Sequence, residues 1–172
     1  MRRMSQPQRR FLLVEQGIGS MFVNFPLNAL IAWAMFRKLE QVPLLGDPSI
    51  TNDTIGTSFV LPLFTALIGT RLIRGALASG HVAPLGWTRA THPMLRLLPH
   101  NSFLRGALLG LVCALTIGPL AARGFGAVGL GPLGLWSFVA LKATYASVLG
   151  LFVTPLLAIW AIAEPVSSPV AA

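Results

Sequence analysis

The sequence predicts an all-α membrane protein: one integral domain over 1–172, built as a four-transmembrane-helix bundle with proline-bent helices and both termini in the cytoplasm. Three observations lead there. Of 172 residues, 54% are hydrophobic and only 10% charged, and the mean hydropathy is +0.71, whereas roughly a quarter of a soluble domain is charged. The apolar residues gather into four runs, each long enough for the about 20 residues of helix that cross a hydrocarbon core. The 13 Lys and Arg, against 5 Asp and Glu, cluster at the ends of those runs. Disorder is excluded by the same composition, because so apolar a chain has more surface to bury than its charges could keep in water.

The first span is expected over 11–36. Arg2, Arg3, Arg9 and Arg10 precede it, and Arg37 and Lys38 follow. A full-length apolar run closed by cations, with no small-residue cleavage site after a short apolar core, reads as a retained span and not as a signal peptide. Within it Ser20, Asn24 and Asn28 recur every four residues and share one helix face. An amide in hydrocarbon needs a partner, so this polar intramembrane stripe is expected to face other helices or a wet interior. Pro26 lies between the two asparagines and cannot donate to the carbonyl of Phe22. A polar lining beside a broken helix is a device of transporters. Hydrogen-bond glue between helices, at about 1 kcal/mol per contact, is the simpler reading.

An outer loop is expected over 37–54, where Pro43, Gly46, Asp47, Pro48 and Asn52 signal turns and Glu40, Asp47 and Asp53 face outward. The second span, 55–77, contains Arg71 and Arg74 at its end. Glu15 is the only acid inside a predicted span and lies near the same side of the membrane, so an ion pair between Glu15 and Arg71 is expected. The cytoplasmic loop, 78–104, carries Pro84, Pro93, Pro99 and all three histidines, and a short amphipathic piece is expected near 94–98.

In the third span, 105–122, Gly106, Gly110, Ala114 and Gly118 form a small-residue ladder that Ala122 continues. A helix face stripped of side chains lets another backbone approach, so this is the expected helix-packing face, with its partner in this chain or in a second copy. A looser run in the fourth span, Ala143, Ser147, Gly150, Thr154 and Ala158, is the candidate to face it. The glycine-rich segment 123–135 forms the second outer loop. The fourth span, 136–163, contains Lys142 and, three residues on, Tyr145. A charge costs roughly 2.5–3.5 kcal/mol at the centre of a membrane helix. About 20 apolar residues still follow Lys142, enough for a full span, which favours snorkelling to the outer interface. The functional alternative is an outer-mouth cation, with Tyr145 beside it, holding an anion or a lipid phosphate. Pro26, Pro62, Pro119 and Pro155 place one helix bend in each span. Trp33, Trp136 and Trp160 fall near span ends, where amphipathic rings prefer to sit.

Orientation follows from the cations. Arg71, Arg74, Arg89, Arg96 and Arg105 join the N-terminal arginines on one side, while the other has Arg37, Lys38 and Arg123, with Lys142 at its edge. The basic side is expected to meet anionic headgroups of the bilayer at the cytoplasmic face. Nucleic acid is excluded as a partner because the basic residues form no continuous patch interleaved with aromatics. Cys113, the only cysteine, rules out an intrachain disulfide and a multi-cysteine metal site. His81, His92 and His100 lie in the loop at spacings that suit no helical ligand pair, so neither a metal nor haem in the bundle is expected. No span holds paired carboxylates, and no histidine lies at membrane depth to activate a serine; no catalytic residue and no cofactor are predicted.

What remains is a non-enzymatic, multi-pass protein of a bacterial inner membrane. The bacterial source is read from arginine exceeding lysine in a chain rich in Ala, Gly and Leu. Its expected function is a small transport or permeation component using the polar stripe. The alternative is an accessory or assembly subunit docking onto a larger membrane complex through its small-residue helix faces. Four short helices enclose little volume, so a homo-oligomer or a larger complex is expected in either case.

Overall fold

The computed structural model describes residues 4–87, 94–97 and 99–163. Arg2, Arg3, Arg89, His92, Pro93 and the tail after residue 163 lie outside the described residues. Four helices are long and apolar enough to cross a membrane: Gln6–Phe36, Ile50–Ala78, Ser102–Ala127 and Leu135–Ala163. They are the first to fourth helices below. The outermost ends of the first and fourth lie together at what is here the terminal end of the bundle, and the opposite end is the far end.

Local capping sets where each helix begins. Ser5 and Gln8 form a capping box, the serine hydroxyl accepting from the Gln8 amide and the Gln8 carboxamide accepting from the Ser5 amide. The helix therefore starts ahead of the apolar run. Ser49 caps the second helix by accepting from the Asn52 amide, so the polar stretch from Thr51 to Thr54, expected in the outer loop, is helical. Asp53 is thereby carried into the bundle. Asn101 caps the third helix at Phe103 and Leu104. That helix is interrupted at Thr116 (φ −119°, ψ −68°) and resumes over Ile117–Ala127. Pro119 explains the break: it has no N–H for the carbonyl of Leu115, and its ring crowds that carbonyl. Gly124 and Gly126, expected in the outer loop, belong to the resumed helix. Pro26, Pro62 and Pro155 lie inside helices. Two stretches widen to π-helix, Phe11–Ile18 in the first helix and Thr65–Gly69 in the second.

The fourth helix is the centre of the bundle, with buried residues on most of its circumference. The first and second helices both pack against it, and the third packs against the second. Three apolar clusters hold the helices together. At the far end Ala32, Phe36, Val42, Ile50, Phe138 and Val139 meet, under a short antiparallel ladder between Gln41–Val42 and Leu133–Gly134. Leu61, Ala66, Cys113, Ala146, Leu149 and Val153 fill the middle. At the terminal end Phe11, Leu12, Ile73, Val82, Leu85 and Leu95 surround the end of the fourth helix. Trp160 is buried in this last cluster and so is no interfacial anchor, whereas Trp136 is well exposed. The helical turn Met94–Leu97 buries Leu95 and exposes Arg96 and Leu97.

The small-residue ladder has its partner within the chain. A Cβ on Gly106 would stand 2.7 Å from the Ala66 Cβ, one on Gly110 2.5 Å from the Phe59 carbonyl oxygen, and one on Gly118 3.0 Å from the Ser58 hydroxyl. The second helix fills this face. The run Ala143, Ser147, Gly150, Thr154 and Ala158 does not face the ladder as expected. Instead the fourth helix turns Gly150 and Ser147 to the first: Gly150 accommodates the Asn24 side chain, and the Ser147 hydroxyl, which donates to the Ala143 carbonyl at 2.8 Å, lies 3.3 Å from the Met21 carbonyl of the first helix. An asparagine on the first helix needs the space a missing Cβ leaves, which is why the two small-residue runs pair with different neighbours.

Candidate functional site

The first and second helices rest on the fourth from different sides and form no packed interface with each other. A groove of about 990 Å³ runs between them. On the first helix its lining recurs from Glu15 through Ser20, Asn24, Asn28 and Ile31 to Met35, and on the second from Asp53 through Thr57, Val60, Phe64 and Ile68 to Leu72. Lys142 and Thr154 of the fourth helix also line it. Glu15 to Met35 covers about 30 Å at 1.5 Å per residue, the thickness of a hydrocarbon core.

Every residue of the polar stripe lines this groove. The Ser20 hydroxyl donates to the Gly17 carbonyl at 2.7 Å, and the Asn28 amide donates to the Asn24 carbonyl at 3.0 Å. Both bonds stay within the first helix. The Asn24 side chain packs on Gly150 and makes no hydrogen bond among the described residues. Interhelical hydrogen bonding therefore does not account for the stripe.

The expected placement of Lys142 at the outer surface is corrected. Its side chain is only 5% exposed, and it is paired with the Asp53 carboxylate, itself 7% exposed. Snorkelling is unnecessary because the early start of the second helix puts an acid at the depth of the ammonium, and a buried charge is tolerated when paired. Tyr145 does not sit beside the ammonium as a second ligand. Its hydroxyl lies 2.6 Å from the Ser58 hydroxyl, which donates to the Thr54 carbonyl at 2.7 Å. With the one Ser58 proton so used, Tyr145 is the donor in that contact. Lys142–Asp53 and Tyr145–Ser58 thus tie the fourth helix to the second.

The expected Glu15–Arg71 pair is also corrected. Glu15 Oε2 lies 2.9 Å from His81 Nε2, and the Phe11 ring stands edge-on to the imidazole. The groove keeps the first and second helices apart, while the chain beyond the second helix folds back under the first and presents His81. Gln8 holds that segment by donating to the carbonyls of Ala83 and Pro84, both at 3.1 Å.

At the groove floor, Thr154 is nine-tenths buried and its hydroxyl has no hydrogen-bond partner. No group of three His, Cys, Asp or Glu among the described residues is arranged to hold a metal ion. Sequence reasoning missed Asp53 and the whole second wall. The signal was Ser49 as an N-cap three residues before Asn52, which starts the helix a turn earlier than hydropathy does. Comparison with family models, curated proteins and solved structures gives no match to this chain.

Proposed function

We propose that the chain is a small, non-enzymatic transport or permeation component of a bacterial inner membrane, with the groove between its first and second helices as the track. One observation carries this: the polar stripe and the Lys142–Asp53 pair line a single groove as tall as the hydrocarbon core and open along its side. Polar groups at that depth are costly. A purely structural role would have the stripe bonded between helices, yet Asn28 turns back on its own helix and the Asn24 side chain makes no hydrogen bond among the described residues. In this reading Pro26 and Pro62 bend the two walls, and Pro119 and Pro155 bend the helices behind them. The terminal end faces the cytoplasm, where Arg9, Arg10, Arg71 and Arg74 meet anionic headgroups. A second copy or a larger complex would close the open side. The accessory-subunit alternative has less support, because Gly106, Gly110 and Gly118 are already covered by the second helix.

Single cysteines at Ser20, Asn24 and Asn28, placed in a Cys113→Ser background, are expected to react with a membrane-impermeant maleimide from water. Uniform protection of all three would reject the track. A cytoplasm-active reporter fused after Ala172 is expected to be active, and activity of an exterior-only reporter at the same position would reverse the orientation.

A further inference from the structure

Resting on that reading, we propose that the groove accepts a slender amphiphile with a cationic head. The chain carries 13 Lys and Arg against 5 Asp and Glu. The groove inverts that balance: Glu15, Asp47 and Asp53 line it, and Lys142 is the one Lys or Arg among its described lining residues. Lys142 is already neutralised by Asp53, so the charge left over is negative. It is divided between the two mouths, Asp47 beside Asn52 at the far end and Glu15 beside Gln16 at the terminal end, the Glu15 carboxylate also touching exposed His81.

Between the mouths the walls are apolar, formed by residues such as Val23, Leu27, Val60 and Phe64. Neutral polar groups are left unbonded along the way, among them the Asn24 carboxamide and, on the floor, the nine-tenths-buried Thr154 hydroxyl. Each candidate ligand class meets these features differently. An anionic head would face a carboxylate at either mouth. A wholly polar solute would lose water against the walls without replacement bonds. A wholly apolar molecule would leave the amide and the hydroxyl unsatisfied. A cationic head with a thin apolar tail meets all of them, and the open side lets the tail remain among the acyl chains.

The test uses the full chain in nanodiscs of zwitterionic lipid, titrated with decyltrimethylammonium, decylphosphocholine and decyl sulfate below their micelle-forming concentrations, with empty discs as reference. The three share one tail. The tightest binding is expected for the trimethylammonium head, against the general repulsion of a chain of formal net charge +8. A Glu15→Gln/Asp47→Asn double variant removes two exposed carboxylates and leaves Lys142–Asp53 intact. It is expected to weaken cation binding about two- to fivefold per carboxylate and to leave phosphocholine binding unchanged. No binding, equal binding of the three heads, preference for the sulfate, or a cation preference that the double variant retains would each overturn the assignment. Such a failure with Ser20, Asn24 and Asn28 open to water rejects the cationic ligand alone, whereas protection of those three rejects the track itself.

Discussion

Asp53→Ala is expected to destabilise the protein by about 3–5 kcal/mol, the usual cost of leaving one member of a buried ion pair without its partner. Lys142 lies about 10 Å along the fourth helix from Leu135 at 1.5 Å per residue, and its side chain is 5% exposed. Without Asp53 the ammonium must pull the helix toward an interface or stay charged in a dry site, and either costs stability. Lys142→Met is expected to be costly for the mirror reason, since it leaves the Asp53 carboxylate buried alone. The double variant Asp53→Leu/Lys142→Met removes both charges and is expected to recover most of the loss. Thermal unfolding of the detergent-solubilised variants reads all three. Single-variant losses below about 1 kcal/mol, the range of exposed pairs, would mean that the pair is hydrated and that Lys142 reaches the interface after all. A folded double variant also separates stability from function, because it keeps the groove and removes the charges from its floor.

The legible part of the fold was what depends on one helix at a time. Four apolar runs announce four helices through length alone, and the spacing of Ser20, Asn24 and Asn28 puts them on one face whatever that face meets. The ladder of Gly106, Gly110 and Gly118 announces a close backbone approach for the same reason. What was not legible depends on two helices at once. Asp53 is separated from Lys142 by 89 residues, and His81 from Glu15 by 66. No periodicity within a helix encodes such a meeting. Hydropathy also misplaces helix starts that are polar: Thr51 to Thr54 looks like loop, yet Ser49 caps it into the second helix. That shift of about one turn turned an outward-facing acid into the partner of the buried lysine. Two small-residue runs could pair with each other on sequence alone, and only the position of the Asn24 side chain against Gly150 shows why they do not.

Gly110→Leu is expected to prevent the second and third helices from packing. Even the first atom of any side chain there meets the Phe59 carbonyl oxygen at 2.5 Å and the Phe59 ring at 3.2 Å. A carbonyl of the main chain cannot rotate aside as the tip of a side chain can, so the two helices must separate. Overfilling a packed site costs about 1–3 kcal/mol for a few added methylenes, and leucine adds more bulk than that along the axis of closest approach. The sign is informative because helix propensity runs the other way: alanine is better than glycine by about 1 kcal/mol in a helix interior. Gly110→Ala should therefore lose stability in spite of its backbone, while Gly124→Ala, on the same helix with nothing within 4 Å of the added Cβ, should be neutral or gain. Unfolding of the three variants at several protein concentrations, together with the size of each detergent-solubilised particle, checks this. A loss at Gly110 that is independent of concentration places the ladder within one chain. A Gly110→Leu protein that unfolds like the parent but runs as a smaller particle would place the ladder between chains, and would restore docking through this face as its role.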